Sequence, residues 1–382
     1  MIQHERLAET FKKLVMIDSV SRMEAQISDA LCQMLAPFDP EIRVDQAAGP
    51  TGSDTGNLIV RIAGNTDAAP LMVNAHMDTV EPGRGVLPRF ADGVFTSGGS
   101  TVLGADDKSA IAIILEVLHV LKENSLSHGP LELVFTICEE IGLLGAKNLD
   151  FSLISASFGY ALDTSATDAI ITRAPGANQV EVDVYGKDAH AGADPENGIN
   201  AILLASQAIA GLSLGRIDEE TTCNIGVFEA GGATNVVPAH ARVKGEVRSH
   251  DEARLAEVTR RMTAAFDAAV EACRGKHGGG DLPQVEKKVH KEFSATRIPE
   301  DHPVVALAYK AAAGLGREMV AKRSGGGSDA NVFFANGIMT GVIGTGMTDI
   351  HSTRESIRLE EMVKSAELLT EIIRHHARGE AS

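Results

Sequence analysis

Short apolar runs alternate with helical patterns in the first part of the chain. Between two of these runs, residues 109–121 carry apolar side chains around the whole circumference of a helix, as a mostly buried helix requires. The runs themselves have the length of buried strands and cover residues 57–62, 71–75, 131–136 and 159–162. Alternation of this kind favours an α/β sheet with helices on its faces.

A different pattern begins near Asn178. Valines alternate with other residues over 180–185, and this period of two indicates a half-exposed strand. Gly275 and a turn at 278–280 are expected to end the second of two helical patterns. The remaining elements are alternating stretches at 222–229, 241–248 and 285–291, with helical patterns at 199–212 and 252–274. They predict a small α+β domain with an antiparallel sheet.

From about Asp301 the helix and strand pattern of the first part resumes. Helical patterns cover 304–315 and 359–376, with a strand pattern at 338–343. The simplest arrangement is one domain inserted into another. We therefore predict an inserted lid domain at 177–296, with a split α/β domain formed by residues 1–176 and 297–382.

The charge balance and the cysteines narrow the functional classes. Asp and Glu total 52 against 35 Lys and Arg, for a formal net charge of −17. Such a surface repels the nucleic-acid backbone, so we expect no nucleic-acid partner. No apolar run is typical of a signal peptide or a membrane span, and we expect neither. Four cysteines without a Cys-x-x-Cys spacing are typical of reduced thiols in a cytoplasmic protein.

Candidate metal ligands follow the buried strands. His76 and Asp78 come directly after the run at 71–75, and open α/β sheets bind ligands at the carboxyl ends of their strands. A histidine can ligate a metal while a carboxylate two residues away holds its other ring nitrogen. Taken alone, the pair is more typical of an ordinary polar strand end.

Two acidic pairs occupy comparable places. Asp106 and Asp107 precede the buried helix, where a carboxylate could bridge two cations or simply cap the helix. Glu139 and Glu140 follow the run at 131–136. One of them would bind metal, and the other would act as general base on a water molecule. A solvated loop is the alternative for this second pair.

Asp163 and His351 complete the set, each after a further strand pattern. Two histidines and three carboxylates suit two divalent cations that share one carboxylate. Zinc is the expected metal, at two ions per subunit, with cobalt or manganese as substitutes. The predicted ligands are His76, Asp106, Glu140, Asp163 and His351.

In their order along the chain, these residues resemble the motifs of a known family. The motifs are His76-Met77-Asp78, Gly104-Ala105-Asp106-Asp107-Lys108, Glu139-Glu140-Ile141-Gly142, Asp163, Ala189-His190-Ala191-Gly192 and His351-Ser352-Thr353-Arg354-Glu355. They look like those of the co-catalytic zinc peptidases of the aminoacylase and carboxypeptidase superfamily, and within it those of the peptidase T group. The likeness covers nearly the whole chain. It implies a mixed, mostly parallel sheet with helices on both faces, plus a lid with a four-stranded antiparallel sheet.

The resemblance also implies a role for each residue. Asp106 would bridge the two cations, with His76 and Asp163 in one site and Glu140 and His351 in the other. The five residues are therefore expected to form one two-cation site.

Further roles concern catalysis and the substrate. Glu139 would be the general base, Asp78 would orient the metal-binding imidazole, and Asp107 would follow the bridging carboxylate through a cis peptide bond. His190 in the lid would donate to the developing oxyanion, from its own or the partner subunit. Residues expected to hold the substrate are Asn235, Arg248, Gly327 and Ser328. A salt bridge at a strand end is the alternative for the arginine.

The implied activity is removal of the N-terminal residue from short peptides, as in tripeptidases. Asp163 favours an aminopeptidase, since a glutamate at this place accompanies the carboxypeptidases and deacylases. The sequences Asp163-Thr164-Ser165 and His190-Ala191-Gly192 depart from the Asp-Gly-Gly and His-Pro-Gly of the group. An N-acyl-amino-acid deacylase or a carboxypeptidase-like dipeptidase is therefore the alternative. A non-catalytic scaffold would lack a ligand or the base, and neither is missing.

The exposed edge of the lid sheet would form the interface of a homodimer.

Overall fold

Two compact units make up the structure, a computed structural model that describes residues 1–277 and 281–380. The first unit comprises Met1–Arg173, Arg297–Ser324 and the chain from Ser328 onward, and the second comprises Ala174–Thr296 with Gly325–Gly327. The chain leaves the first unit and later returns to it, which confirms a split domain with an inserted one. The domain bounds given above stay a prediction.

The helices and strands follow one another in three stretches. Up to the insertion they are α1 (His4–Val15), α2 (Ala25–Leu35), β1 (Glu41–Val44), α3 (Ala48–Thr51), β2 (Leu58–Ile62), β3 (Leu71–His76), β4 (Pro88–Ala91), β5 (Val94–Ser97), α4 (Ala105–Glu123), β6 (Leu131–Thr136), α5 (Leu144–Lys147), β7 (Phe158–Ala161) and β8 (Ala169–Ala174). The insertion contains β9 (Gly176–Tyr185), α6 (Ala201–Ala210), β10 (Gly215–Asp218), β11 (Thr221–Ala230), β12 (His240–Ser249), α7 (Glu252–His277) and β13 (Gln284–Phe293). The last stretch contains β14 (Thr296–Arg297), α8 (Pro303–Gly314), β15 (Val320–Arg323), α9 (Asp329–Ala335), β16 (Met339–Ile343), β17 (Met347–Thr348), β18 (Ser356–Arg358) and α10 (Leu359–Ala377).

The main sheet has parallel strands at its centre. Its order among the described residues is β1-β2-β6-β3-β7-β16-β8-β14, with β15 paired to β8. The strands β6, β3, β7 and β16 are parallel, whereas β1 pairs antiparallel with β2, β2 with β6, and β8 with β16. The predicted mixed, mostly parallel sheet is confirmed. Because the carboxyl ends of parallel strands meet at one edge, residues that follow β3, β6 and β7 come together there.

Helices bury both faces of this sheet. Val73 of β3 belongs to a large core that also contains Ile111 and Leu115 of α4. Met72 points to the opposite face, where it shares a smaller core with Phe333 of α9. A strand that is buried on both faces must be apolar throughout, which explains why β3 and β6 appear in the sequence as almost unbroken apolar runs.

The second unit is an antiparallel sheet with α6 and α7 packed against it. The sheet order is β10-β11-β12-β9-β13, so within the described residues it has five strands rather than the predicted four. The additional strand, β10, is short and begins at Gly215 with a φ of 83°. Its residues are exposed or half-buried, so no alternation of apolar and polar positions marks the strand.

The helix α7 extends beyond its predicted end. The pattern at 252–274 predicted a stop at Gly275, whereas the helix extends to His277. A glycine inside a helix costs only about 1 kcal/mol relative to alanine. Packing of Val258, Met262 and Phe266 in the core of this unit stabilises the helix as a whole. The predicted turn at 278–280 lies outside the described residues.

A second, small antiparallel sheet in the first unit was not predicted. It has the order β17-β18-β5-β4. These strands have two to four residues, which is too short for a period of two to be recognised.

Two further features concern the cysteines and the length of the helices. Cys32, Cys138, Cys223 and Cys273 are all free thiols. In residues 1–277 and 281–380, no helix combines the length and the apolar character that crossing a bilayer requires.

Candidate active site and metal centre

Polar side chains collect where the central strands end. His76 is the last residue of β3, and Glu139 and Glu140 lie in the loop after β6. Asp163 follows β7. The start of α4 brings Asp106 to the same place, since its carboxylate lies within hydrogen-bond distance of the imidazole of His76. Four segments that are distant in sequence therefore meet at one edge of the sheet.

Asp106 does not cap α4. The N-cap residue is Gly104, with a φ of 75°, and no side chain caps the helix at that position. Asp106 and Asp107 have backbone angles outside the helical region, and the peptide bond between them is cis, as the resemblance implied. Both carboxylates are buried. The capping interpretation of this pair is therefore wrong.

Asp106 lies between two histidines. Its Oδ1 is 3.0 Å from Nε2 of His76, and its Oδ2 is 3.2 Å from Nε2 of His351. Oε2 of Glu140 is 3.0 Å from the same nitrogen of His351. Each carboxylate oxygen of Asp106 thus faces a different imidazole, which is the arrangement that a carboxylate bridging two cations requires.

The groups of this cluster perturb one another strongly. Although burial opposes it, hydrogen bonds with His351 and His76 hold the pKa of Asp106 below its usual range. Hydrogen bonds with Asp106 and Glu140 raise the pKa of His351 to about 10. Burial, together with the charge of Asp106, raises the pKa of Asp163 to about 7. A buried excess of carboxylates over positive groups attracts cations.

The donor set fits divalent metal ions. Ligand atoms of His76, Asp106 and Glu140 all lie within 4.8 Å of one another. Oε1 of Glu140 is buried and has no hydrogen-bond partner among the described residues. Burying an unpaired carboxylate oxygen is unfavourable, and a cation beside it would remove that penalty. A mixture of imidazole nitrogens and carboxylate oxygens suits zinc, cobalt and manganese.

The second ring nitrogen of His76 is held by the backbone. Nδ1 lies 2.9 Å from the carbonyl oxygen of Asp78, whereas the nearest carboxylate oxygen of Asp78 is 3.5 Å away. A carbonyl oxygen only accepts, so the neutral ring carries its proton on Nδ1 and presents a lone pair at Nε2. In this geometry the contact that orients His76 comes from the main chain of Asp78.

The carboxylate of Asp78 binds the loop after β6. Its Oδ1 accepts from the backbone N–H of Glu139 at 2.9 Å, and its Oδ2 accepts from that of Glu140 at 3.2 Å and from the Ser21 hydroxyl at 2.6 Å. Burial raises the pKa of Glu139 well above its usual range, and the charge of Asp163 adds to the effect. A raised pKa makes a carboxylate a stronger proton acceptor than an exposed glutamate.

Two further buried carboxylates, Asp329 and Glu355, lie near the candidate ligands. Asp329 is buried, accepts from the Thr136 hydroxyl through Oδ2, and has no partner at Oδ1 among the described residues. Burial raises its pKa to about 6. Glu355 accepts from three backbone N–H groups within Leu103–Asp106. Glu355 belongs to the motif His351-Ser352-Thr353-Arg354-Glu355, and Asp329 follows the predicted substrate residue Ser328, but neither position shows which groups the carboxylate contacts.

His190 lies in the second unit, where a turn orients its ring. Its Nδ1 accepts from the backbone N–H of Gly192 at 3.1 Å and of Ala193 at 3.2 Å. An accepting Nδ1 leaves the proton of the neutral ring on Nε2, so Nε2 is the donor. The ring is therefore prepared to donate a hydrogen bond, as the predicted role requires.

Two more predicted substrate residues belong to the second unit. Asn235 is exposed, and its backbone carbonyl accepts from Ala191. Arg248 makes two bonds of 3.1 Å to the carboxylate of Glu246, which is the salt bridge that the sequence left open. Their roles toward a substrate stay predictions.

Gly327 and Ser328 have local structural reasons for their residue types. A Cβ on Gly327 would come within 2.3 Å of the Phe293 ring, so only glycine fits beside that ring without a shift. Ser328 is the N-cap of α9, and its N–H donates to Oδ1 of Asn331 at 3.1 Å. Contact with a substrate stays a prediction for both residues.

Comparison with known proteins shows the family. The crystal structure of aminopeptidase PepT from Bacillus cereus is 39% identical to this chain with a TM-score of 0.90, and the match covers 98% of this chain and 99% of that one. The chain belongs to the peptidase T-like peptidases. A tripeptidase structure from Staphylococcus aureus is 36% identical with a TM-score of 0.92, over 99% of the peptidase T-like chain and 100% of the tripeptidase. The uncharacterised protein YqjE of Bacillus subtilis is 40% identical over 99% of this chain and 100% of its own length.

Two family descriptions match successive parts of this peptidase T-like chain. Residues 57–164 match the peptidase family M28, and residues 172–272 match the peptidase dimerisation domain. The first match contains His76, Asp106 and Glu140, and the second contains most of the inserted unit. The chain is therefore a peptidase, and all five of its candidate metal ligands lie in the first unit.

Proposed function

We propose that this peptidase removes the N-terminal residue from short peptides, tripeptides among them, with two divalent cations at the site. The observation that carries the proposal is the placement of Asp106 between His76 and His351, beside Glu139 and Glu140. Two solved relatives that match nearly the whole chain are described as an aminopeptidase and a tripeptidase, which supports this choice of substrate.

Five side chains would hold the cations. Asp106 would bridge them, with His76 and Asp163 on one side and Glu140 and His351 on the other. When bound, zinc, or cobalt or manganese in its place, would lower the pKa of a shared water and polarise the scissile carbonyl.

The chain's own residues would move the proton and stabilise the developing charge. Glu139 would accept a proton from the attacking water and return it to the leaving amine, for which its raised pKa is suited. His190 would donate from Nε2 to the developing oxyanion, in its own or in the partner subunit. The substrate backbone and its carboxylate would be held by Asn235, Arg248, Gly327 and Ser328.

The second unit carries an exposed apolar edge that suits a second copy of the chain. β10 pairs only with Thr221–Cys223 of β11, so the rest of that edge has no neighbouring strand among the described residues. Val227 and Phe228 lie exposed on it, and Leu203 is exposed on α6. Open strand edges pair readily with other chains. We therefore propose a homodimer through the lid, which the dimerisation-domain match supports.

A cytoplasmic location is proposed as well, supported by the four free thiols.

Product analysis by mass spectrometry tests the activity. Zinc- or cobalt-loaded protein is incubated with a tripeptide of three different residues, and separately with the same peptide carrying an N-acetyl cap. We expect cleavage at the first bond of the free peptide and none of the capped one, because an aminopeptidase requires the free amine. Chelator-treated protein and the Glu139→Gln variant are the controls, and both should leave the peptide intact.

Other products would contradict the proposal in distinct ways. Release of the C-terminal residue would assign a carboxypeptidase-like dipeptidase. Release of acetate from the capped peptide would assign an N-acyl-amino-acid deacylase. The absence of any metal-dependent product would exclude hydrolysis of short peptides altogether.

A further inference from the structure

Side chains from other segments bind the backbone N–H groups of the loop that carries Glu139. Four successive backbone N–H groups, from Ile137 to Glu140, each donate to a side-chain oxygen. The first donates to Oδ1 of Asn57 at 3.1 Å, and the second donates to Oε1 of Glu24 at 3.0 Å. The last two donate to the carboxylate of Asp78. Three distant residues therefore bind the N–H groups of this loop, while its carbonyl groups accept from the backbone of residues 142–145.

Glu24, like Asn57, lies outside every motif recognised in the sequence. Its residue is fully buried, and burial raises the pKa of its carboxyl. Oε1 also accepts from the backbone N–H of Arg22 at 2.9 Å and from the thiol of Cys138 at 3.3 Å, while Oε2 accepts from the Ser53 hydroxyl. Several donors therefore compensate a buried acid whose desolvation is otherwise unfavourable.

Cys138, which donates to Glu24, has an unfavourable backbone conformation. It has a φ of 52°, in the left-handed region that is unfavourable for residues other than glycine. The chain turns at this residue, directly before Glu139. Both the N–H and the thiol of Cys138 donate to Glu24, so the turn is anchored from outside the loop.

We propose that Glu24 is a positioning residue for Glu139: through Cys138, it determines the backbone from which the base projects. The inference rests on the proposed function of Glu139. A displacement of about 1 Å at a reacting group can lower a rate by about 100-fold. Glu24→Ala should therefore lower kcat by about 10- to 100-fold. KM should change by less than about twofold and bound metal should stay constant, because no predicted ligand or substrate contact is removed.

Glu132 offers a matched control. It is also a buried carboxylate, it lies near the opposite end of β6, and it accepts from the N–H and hydroxyl of Ser155 and from the N–H of Ala156. Glu132→Ala should lower the melting temperature as Glu24→Ala does, yet keep the wild-type kcat. Glu24→Gln retains an oxygen for the N–H of Cys138 and should recover most of the lost kcat.

Hydrogen exchange provides a readout that needs no turnover. In Glu24→Ala the amides of residues 137–140 should exchange faster than in the wild type, whereas in Glu132→Ala they should keep the wild-type rates. If the wild type cleaves no peptide but the two variants show this exchange pattern, the proposed function is refuted while the anchoring by Glu24 remains supported. Equal losses of kcat in the two alanine variants, or unchanged exchange in Glu24→Ala, would overturn the inference. If Glu24→Ala does not fold, Glu24→Asp, which withdraws the carboxylate by one methylene, should show the same pattern.

Discussion

Glu139 and Glu140 show how two adjacent residues of one type can acquire different chemistry. Glu140 faces His351 at 3.0 Å and belongs to the cluster of ligand atoms around Asp106. Glu139 lies outside that cluster, and burial raises its pKa. The position after β6 predicts one ligand and one base without distinguishing them, the family resemblance makes Glu139 the base, and this assignment stays a prediction.

Replacing Glu139 tests this division of roles. We expect Glu139→Gln to lower kcat by about 100- to 10,000-fold, because an amide cannot accept the proton of the attacking water. Metal content, measured by elemental mass spectrometry after dialysis, should stay at the wild-type level. Glu132→Gln replaces a buried carboxylate of the same strand region and should keep the wild-type kcat. Turnover of Glu139→Gln near the wild-type value would contradict the assignment.

The bridging position of Asp106 predicts an unequal effect on metal binding. Asp106→Asn should lower the metal content of the dialysed protein more than Glu140→Gln or His351→Ala does, because only Asp106 would contact both cations. Elemental analysis of the three variants measures this directly. Equal losses in all three would show that Asp106 does not bridge.

At the scale of elements, strand ends position the chemistry and short loops complete it. The predicted strand at 131–136 coincides with β6, and the predicted helix at 109–121 lies within α4. The additional residues at the start of α4 include Asp106 and Asp107, whose backbone is not helical. Helical periodicity could not identify them, because they follow no helical geometry.

The segment Gly325–Gly327 allows a test of local packing. Gly327→Ala should lower the free energy of unfolding by about 1–3 kcal/mol, because the added Cβ would lie 2.3 Å from the ring of Phe293. Gly325→Ala is the matched control, since a Cβ there has nothing within 4 Å. Denaturant titration of both variants measures the difference. Equal stability of the two would show that the ring of Phe293 moves aside.

At the scale of the whole molecule, the fold buries more carboxylates at the site than positive side chains that could neutralise them. Asp163 has a pKa of about 7 and Asp329 a pKa of about 6, against an ordinary value of 3.8. Both groups bind their protons more tightly in the folded protein than in the unfolded chain. The stability they contribute is fully present below the ordinary value and is lost as the pH rises through the folded values.

Metal-free protein should therefore lose stability from these groups as the pH rises from about 4 to about 7. Melting temperatures of chelator-treated protein across this range measure the loss, and Asp329→Asn should make it smaller. Added zinc should raise the melting temperature most near neutral pH, because bound cations neutralise the ionised carboxylates. A pH dependence that Asp329→Asn leaves unchanged would contradict this account.

We expect the exposed edge of β11 to form the homodimer interface. We expect light scattering to give the mass of two chains for the wild type and of one chain for Phe228→Glu, because a charge on this edge opposes pairing. Val289→Glu places the same charge on an exposed valine of β13, the other edge strand, and should leave the dimer intact. The reverse result would assign the interface to β13.

The sequence alone determined the two-domain order, most strands and helices, and the residues that now lie around Asp106. Each of these leaves a local signal, since an apolar run predicts a buried strand and a polar residue directly after it predicts a ligand at the strand end. The strands β10 and β17 were not predicted, because they have too few residues for an alternating pattern to be recognised.

Only the tertiary structure decided how the candidate base is held. Ile137, Cys138 and Glu139 donate to side chains that are 80, 114 and 61 residues away in the chain. The main chain of Asp78, rather than its carboxylate, makes the shorter contact with His76. Contacts between such distant segments leave no periodicity in the sequence, because they exist only once the packed sheet has brought the segments together.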